Sequence, residues 1–237
     1  MKAATEIAES NNESFLTQSG LDHYAMVTQV GDHNRSDATQ SGEGNYFKLR
    51  QTGDRNNSIL TQSGSNTFRN NDAEVTQIGD DNTSNVEQSG TYSRARVFQR
   101  PTGAVTARFN VAEVVQVGDG GAYNEAFVSQ YMEDNFSRQE QTGQGNDAYA
   151  SQQRSGNDSY QYQTGDFNSA SAVQGADPYT AIGGNLSTIT QNGNYGYAHH
   201  NQLNGNNNLA ETTQSNDWQH SVIDQSGDSH KAFVIQQ

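Results

Sequence analysis

Glutamine recurs at a fixed interval along almost the whole 237-residue chain. Of the 18 gaps between the 19 glutamines, 13 are 11 residues long, and the other five are longer, as expected for insertions into turns. A disordered polar sequence keeps no such register, so the spacing predicts a repeat fold. The glutamines of this column are Gln18, Gln29, Gln40, Gln51, Gln62, Gln77, Gln88, Gln99, Gln116, Gln130, Gln141, Gln152, Gln163, Gln174, Gln191, Gln202, Gln214, Gln225 and Gln236.

Alignment on these glutamines reveals the rest of an 11-residue unit. Asn lies six residues before the glutamine in 14 of 19 units, and Ser or Ala lies four before it in 18. An aliphatic residue usually lies two before, and Gly lies two after in 12 units, which gives N-x-[SA]-x-[VLI]-x-Q-x-G-x-x. The asparagines are Asn12, Asn34, Asn45, Asn56, Asn71, Asn82, Asn110, Asn124, Asn135, Asn146, Asn157, Asn168, Asn185 and Asn208.

The spacing within the unit predicts a strand followed by a turn. Informative positions two apart indicate a strand with one buried face, and Gly next to Asp is typical of a turn. Ser and Ala alternate from unit to unit in 14 of 19 units, so the full repeat is about 22 residues and contains two strands. We therefore predict an all-β fold, a two-strand-per-turn parallel β-solenoid with nine to ten rungs over residues 12–237. Residues 1–11 are predicted to be a flexible segment.

Composition supports a narrow interior. Leu, Ile, Val and Phe make up about 16% of the chain, and the net charge is −14, values typical of disorder unless very little apolar surface must be buried. Two close sheets need only about two apolar side chains per strand, and inward Asn and Gln can hydrogen-bond to their equivalents one rung away. The amide columns are therefore predicted to form structural ladders.

Several functional classes find no support in the residues. Acidic character disfavours nucleic-acid binding, and there is no Cys and no membrane-span-like apolar run. The opening residues contain no apolar run of signal-peptide length, so we expect any secretory leader to have been removed or replaced by Met1. Adjacent His199 and His200 would point to opposite faces of a strand, and the Gly-Asp turns are explained by turn chemistry. We predict no catalytic residues, no metal site and no cofactor. An ice-binding array is disfavoured because Thr precedes the ladder glutamine in only seven units: Thr17, Thr28, Thr39, Thr61, Thr76, Thr190 and Thr213.

The strand motif, the Q-x-G-x-x-N turn and the 22-residue doublet together resemble the curlin repeat from Asn12 to Gln236. Curlins are the subunits of curli, the extracellular functional amyloid of Gram-negative biofilms. The resemblance implies a non-enzymatic, extracellular subunit that polymerises with copies of itself. It also implies two partners, a nucleator subunit and an outer-membrane secretion pore. Longer segments near 66–70 and 100–109 depart from the regular repeat.

Self-assembly would use the first and last predicted strands. Exposed backbone groups of the last strand would template the first strand of another copy. The alternative is a monomeric β-solenoid that serves as an adhesion or binding module, which would need capped ends. The last strand keeps the motif without a cap pattern, which favours the polymer. The predicted assembly residues are Ala232, Val234 and Gln236 at one end, and Asn12, Ser14 and Leu16 at the other.

Two further expectations concern the register between rungs. Charges on the outward face should pair across neighbouring rungs, for example Glu13 with Arg35, Lys48 with Glu74 and Glu113 with Arg138, each pair contributing only tenths of a kcal/mol. Gln139 and Gln161 replace the usual aliphatic residue 22 residues apart, so their amides should hydrogen-bond to each other inside the fold.

Overall fold

The computed structural model describes residues 2–8, 11–64, 71–101, 107–175 and 184–237. Within these ranges every regular element is a β-strand and there is no helix. The strands are β1 (Lys2–Ala8), β2 (Glu13–Leu21), β3 (Tyr24–Val30), β4 (Arg35–Glu43), β5 (Tyr46–Thr52), β6 (Asn57–Gly64), β7 (Asp72–Ile78), β8 (Thr83–Arg100), β9 (Val111–Tyr131), β10 (Phe136–Gly143), β11 (Asp147–Gln152), β12 (Asp158–Thr164), β13 (Ser169–Gln174), β14 (Leu186–Asn192), β15 (Tyr197–Leu203), β16 (Leu209–Gln214), β17 (His220–Ser226) and β18 (Lys231–Gln236).

Each strand pairs in parallel with the equivalent strand of the next turn, as in β2 with β4 and β3 with β5. The long strands β8 and β9 run through a corner, so each contributes a segment to both stacks of strands. Sheet I contains β2, β4, β6, the first segments of β8 and β9, β10, β12, β14, β16 and β18; sheet II contains β1, β3, β5, β7, the second segments of β8 and β9, β11, β13, β15 and β17. The predicted parallel β-solenoid is confirmed, with about 9 turns about 23 residues apart.

The N-terminal segment differs from our expectation. We predicted flexibility for residues 1–11, but Lys2–Ala8 forms β1 and pairs in parallel with β3, with Ala3 opposite Ala25. The edge of β3 offers backbone groups that need partners, and an extended segment can pair with them without carrying the motif's side chains. The solenoid therefore begins one strand earlier than the glutamine column indicates.

The seam, the space between the inner faces of the two sheets, is lined by the Ser/Ala, aliphatic and glutamine columns. Small side chains of one column allow the sheets to approach closely, and branched side chains fill the space beside them. A continuous apolar cluster runs through the N-terminal half, and Leu16 packs against it. Its members are Ala25, Val27, Ala38, Phe47, Leu49, Leu60, Ala73, Val75, Val86, Ala95, Val97, Ala112, Val114, Ala126 and Val128.

The outward faces show most of the expected charge pairs. Lys48 Nζ lies 3.2 Å from Glu74 Oε1, and Arg138 Nη1 lies 3.2 Å from Glu113 Oε2. Arg35 is in register with Glu13, yet its ion pair is with Asp37 two residues along the same strand. The sequence predicted interruptions at 66–70 and 100–109; all of 66–70 and residues 102–106 lie outside the described residues.

Candidate functional site: amide ladders and open strand edges

A continuous chain of glutamine side chains runs through each sheet. In sheet I it extends from Gln18 to Gln236, and in sheet II from Gln29 to Gln225. Every step joins Nε2 of one rung to Oε1 of the next, at distances such as 2.7 Å for Gln18 to Gln40. All donors point toward the C-terminal end, so each ladder has a direction.

The second N–H of each amide tends to bind across the seam. Gln29 Nε2 donates to the main-chain oxygen of Glu13 at 3.0 Å, and Gln40 Nε2 repeats this contact with Tyr24 at 3.1 Å. Burying an amide without partners costs about 1–3 kcal/mol, and these hydrogen bonds offset that cost for the buried glutamines. Away from the ends of the ladders, each glutamine thus connects two rungs of its own sheet and binds that sheet to the other.

The asparagine column links the starts of successive strands. Between asparagines of neighbouring rungs the hydrogen bond is donated toward the N-terminal end, opposite to the direction of the glutamine ladders. Asn34 donates its backbone N–H to Asn12 Oδ1 at 2.8 Å, and its Nδ2 donates to the Gly53 oxygen at 2.7 Å. Apart from Asn12, which is half-buried, all the predicted asparagines are buried. Sequence reasoning missed His23, which occupies an asparagine position and accepts the Asn45 N–H at Nδ1, 3.3 Å away. Its place six residues before Gln29 was the available signal.

Turn residues continue the rung-to-rung pattern at the corners. Asp54 Oδ1 accepts the backbone N–H of Asp32 at 2.9 Å, and Asp80 does the same for Asp54. A Cβ on Gly31, whose φ is +103°, would lie 2.2 Å from the Gly53 oxygen, which explains why glycine recurs there. The described residues contain no group of three His, Cys, Asp or Glu side chains able to hold a metal ion.

His199 and His200 lie on opposite faces of β15. His200 is fully buried in the seam, with Nδ1 2.9 Å from Ser187 Oγ and Nε2 2.8 Å from Thr212 Oγ1. Thr212 Oγ1 lies 3.0 Å from Ser221 Oγ. Burial, reinforced by nearby His199, lowers the pKa of His200 to about 4, so the imidazole is neutral near pH 7. It therefore acts as a hydrogen-bonding spacer in the aliphatic column.

The open edges of the solenoid lie at its two ends. Among the described strands, β1, β2, β17 and β18 each pair with a strand on one side only. At one end, Gln236 Nε2 donates to His220 O, and in the described chain its amide has no later rung to donate to. At the other end, no side chain of the described residues donates to Gln18 Oε1. The glutamine ladders thus end in a side-chain donor at one end and a side-chain acceptor at the other.

The direction of the backbone groups divides the predicted assembly residues. Leu209 donates its N–H to His230 O in the next rung, so the equivalent Lys231 points its N–H out of the end. Backbone N–H groups alternate in direction along a strand. The N–H of Phe233 therefore also points out of the end, whereas the N–H of Val234 points back toward β16. Ala232, Val234 and Gln236 therefore contribute seam side chains to the open end, while the free backbone donors belong to the residues between them. At the other end, Asn12, Ser14 and Leu16 are half-buried on β2 or just before it.

The family comparison matches both ends of the solenoid. A family model described as the curlin associated repeat matches residues 10–42 and 205–237. The resemblance to the curlin repeat is thereby confirmed for these two segments. The matched curlin repeats contain β2–β4 and β16–β18, the strands whose ladder residues and edges are described above. Curlin repeats belong to structural, non-enzymatic subunits. No curated protein matches the chain. In the described residues, no helix is long and apolar enough to cross a membrane.

Proposed function

We propose that this chain is a structural subunit that assembles end to end into extracellular curli-type amyloid fibres of a biofilm matrix, mediating adhesion and aggregation. The proposal is carried by one observation: the glutamine ladders run in one direction between an acceptor end and a donor end. Parallel strands stacked along one axis, with open edges at both ends, support the same conclusion. By resemblance to curlins, we also propose a nucleator subunit and an outer-membrane secretion pore as partners.

The seam of one copy can continue into the next without a change of register. If β18 stacks on β2 of a second copy, Gln236 Nε2 reaches the level of Gln18 Oε1. Val234 then stands opposite Leu16, so an aliphatic side chain meets an aliphatic side chain in the seam. The half-buried state of Leu16 leaves apolar surface for this contact to cover.

The outward faces are complementary in the same register. Lys231 would stand opposite Glu13, which places a cation beside an anion across the joint. Phe233 and Phe15, 59% and 52% exposed in the single copy, would stand opposite each other and could stack as aromatic rings do elsewhere on this surface. Charge, aromatic, aliphatic and amide columns therefore agree on one way of joining two copies.

The test removes a backbone donor from the open edge without touching the interior. Phe233→Pro deletes an outward N–H, and proline is tolerated on an edge strand whose N–H faces solvent. Elongation of seeded fibres, followed by amyloid-dye fluorescence and electron microscopy, should slow at least tenfold or so, because the joint loses a hydrogen bond and the ring clashes with the incoming strand.

Phe233→Ala is the matched control, since it removes the same aromatic ring but keeps the N–H. It should slow elongation only a few-fold, consistent with the loss of one exposed aromatic contact. Circular dichroism should show β-structure in both monomers. Equal elongation rates for Phe233→Pro and Phe233→Ala would contradict stacking through this edge.

A monomeric binding module is the second candidate, and one surface feature favours it. Phe167, Tyr195 and Trp218 stack at one corner, with ring centroids 5.3 and 4.3 Å apart. Exposed aromatic surface of this kind is common at binding sites. If the purified chain stays monomeric in the seeding experiment, this module becomes the better description.

A further inference from the structure

The two sheets do not contain equal numbers of glutamine strands. The ladder of sheet I has ten glutamines, from Gln18 to Gln236, and the ladder of sheet II has nine, from Gln29 to Gln225. Strand β1, which has no glutamine, is the tenth strand of sheet II. The curlin motif alone would therefore produce a solenoid with a half-filled rung.

A half-filled rung has a consequence for stacking. When β18 meets β2 of a second copy in sheet I, the adjacent β17 in sheet II lies two strand spacings, roughly 9–10 Å, from β3 of that copy. Without a strand between them, backbone donors and acceptors on both sides would stay unpaired at the joint. The empty place has the width of one strand.

We propose that β1 fills this place, pairing with β3 of its own copy and with β17 of the neighbouring copy. The inference rests on the proposed function, since it specifies the second half of the joint between two copies. It assigns to residues 2–8, which match no curlin motif, the role of completing the rung shared by two subunits.

The backbone groups of both strands have the required directions. Tyr197 donates its N–H to Gln219 O, so the equivalent His220 points its N–H out of the open end of β17. Lys2 donates its N–H to His23 O within the same copy, and by alternation the groups of Ala3 and Thr5 point away from β3. All strands are parallel, so β17 and β1 present matching edges without reversal.

The side chains of β1 make this half of the joint weaker than an internal rung. Ile7 stands opposite Gln29 and has no amide to donate, and Gln29 Oε1 is buried without a hydrogen-bond partner. In the continued register, Asp224 of one copy would stand opposite Glu6 of the other. Like charges directly opposite on neighbouring strands are destabilising. This joint therefore combines complete backbone pairing with a built-in repulsion.

A charge reversal tests the contact between Glu6 and Asp224. Glu6→Lys replaces the repulsion by an attraction, so the elongation rate of seeded fibres at low salt should rise roughly two- to fivefold. Glu87→Lys is the matched control, because it changes the net charge by the same amount far from the joint. Glu87 is an outward carboxylate in mid-solenoid, with Thr61 and Val115 opposite it on the neighbouring strands. The double variant Glu6→Lys/Asp224→Lys restores like charges and should return to about the wild-type rate.

Hydrogen exchange provides a readout that does not depend on substitution. The amides of Ala3 and Thr5 should become protected when monomers enter fibres, whereas an N-terminal strand outside the joint would exchange at the same rate in both states. Equal elongation rates for Glu6→Lys and Glu87→Lys, with unprotected amides in wild-type fibres, would overturn the role of β1 while leaving the fibre function intact. If the wild-type chain forms no fibres at all, the proposed function fails, and this inference fails with it.

Discussion

The N-terminal half of the seam is lined by aliphatic side chains and the C-terminal half by a mixture of polar and apolar ones, yet both halves have the same backbone structure. From Val27 to Val128, the inward position two residues before each ladder glutamine holds Val or Leu, with a single Ala. These side chains belong to one apolar cluster. Beyond that point the same column contains Gln139, Ala150, Gln161, Ala172, His200 and Thr212, with Ile189 and Ile223 among them. Strand register is unchanged across the boundary. The amide ladders and turns, which run through both halves, therefore fix the fold more than the apolar column does.

Polar residues in the C-terminal half are accommodated because they bind one another. Gln139 Nε2 donates to Gln161 Oε1 at 2.8 Å and to Phe127 O at 3.0 Å, as the 22-residue spacing predicted. Gln161 Nε2 donates to Tyr149 O at 2.7 Å. A polar residue in this column is thus compatible with burial when the neighbouring rung supplies its partner.

The strongest way to break this comparison is to place a single amide in the aliphatic half. In Leu60→Gln the neighbours in register are Ala38 and Val86, which offer no side-chain hydrogen bond. We expect the free energy of unfolding to fall by about 3–5 kcal/mol, from lost apolar burial and an unpaired amide. Urea unfolding of the monomer would measure this. The outward Ile59→Gln, on the same strand, should change stability by less than about 0.5 kcal/mol. Similar losses for both variants would show that the inner face carries no special role.

A second test uses the buried histidine of the polar half. The folded pKa of His200 is about 4, against 6.5 for the free side chain, so unfolding takes up a proton between these pH values. Stability should therefore fall as the pH drops from about 6.5 to about 4, by at most roughly 3 kcal/mol, and this contribution should level off below pH 4.

His200→Val supplies the reference for that measurement, since valine restores the aliphatic column and cannot titrate. As the pH drops from about 6.5 to about 4, the variant should become increasingly stable relative to the wild type, measured as the difference between their unfolding free energies. A constant difference from pH 7 to pH 4 would mean that His200 is not held neutral by burial.

The smallest expected effect sharpens the comparison by converting the polar half. Gln161→Leu alone leaves Gln139 Nε2 with only the Phe127 oxygen, which should cost about 1–2 kcal/mol. The double variant Gln139→Leu/Gln161→Leu removes both amides at similar volume. Its free energy of unfolding should lie within about 1 kcal/mol of the wild-type value or exceed it. A double-variant cost equal to the sum of both single costs would refute a mutual bond between the two amides.

The sequence was sufficient for the register because each unit marks its own position with a glutamine and an asparagine. It was insufficient for β1, since Ala3 and Ile7 carry no such marker and that strand is held by backbone pairing. Side-chain alternation identified Val234 as inward but said nothing of where its N–H points, because that direction depends on which neighbouring strand exists. The hydrogen bonds of His200 likewise depend on Ser187 and Thr212, which lie on different strands.

The ladder steps also separate sequence length from axial length. Gln29 to Gln51 spans 22 residues and Gln99 to Gln130 spans 31, yet the amides are 2.8 and 2.9 Å apart. An added segment at a corner is thus absorbed locally, and the following strand resumes the phase of the stack. Genetic insertions and deletions between rungs can accumulate with little effect on neighbouring rungs, so the corner sequences can vary while the glutamine ladders of the interior stay constant.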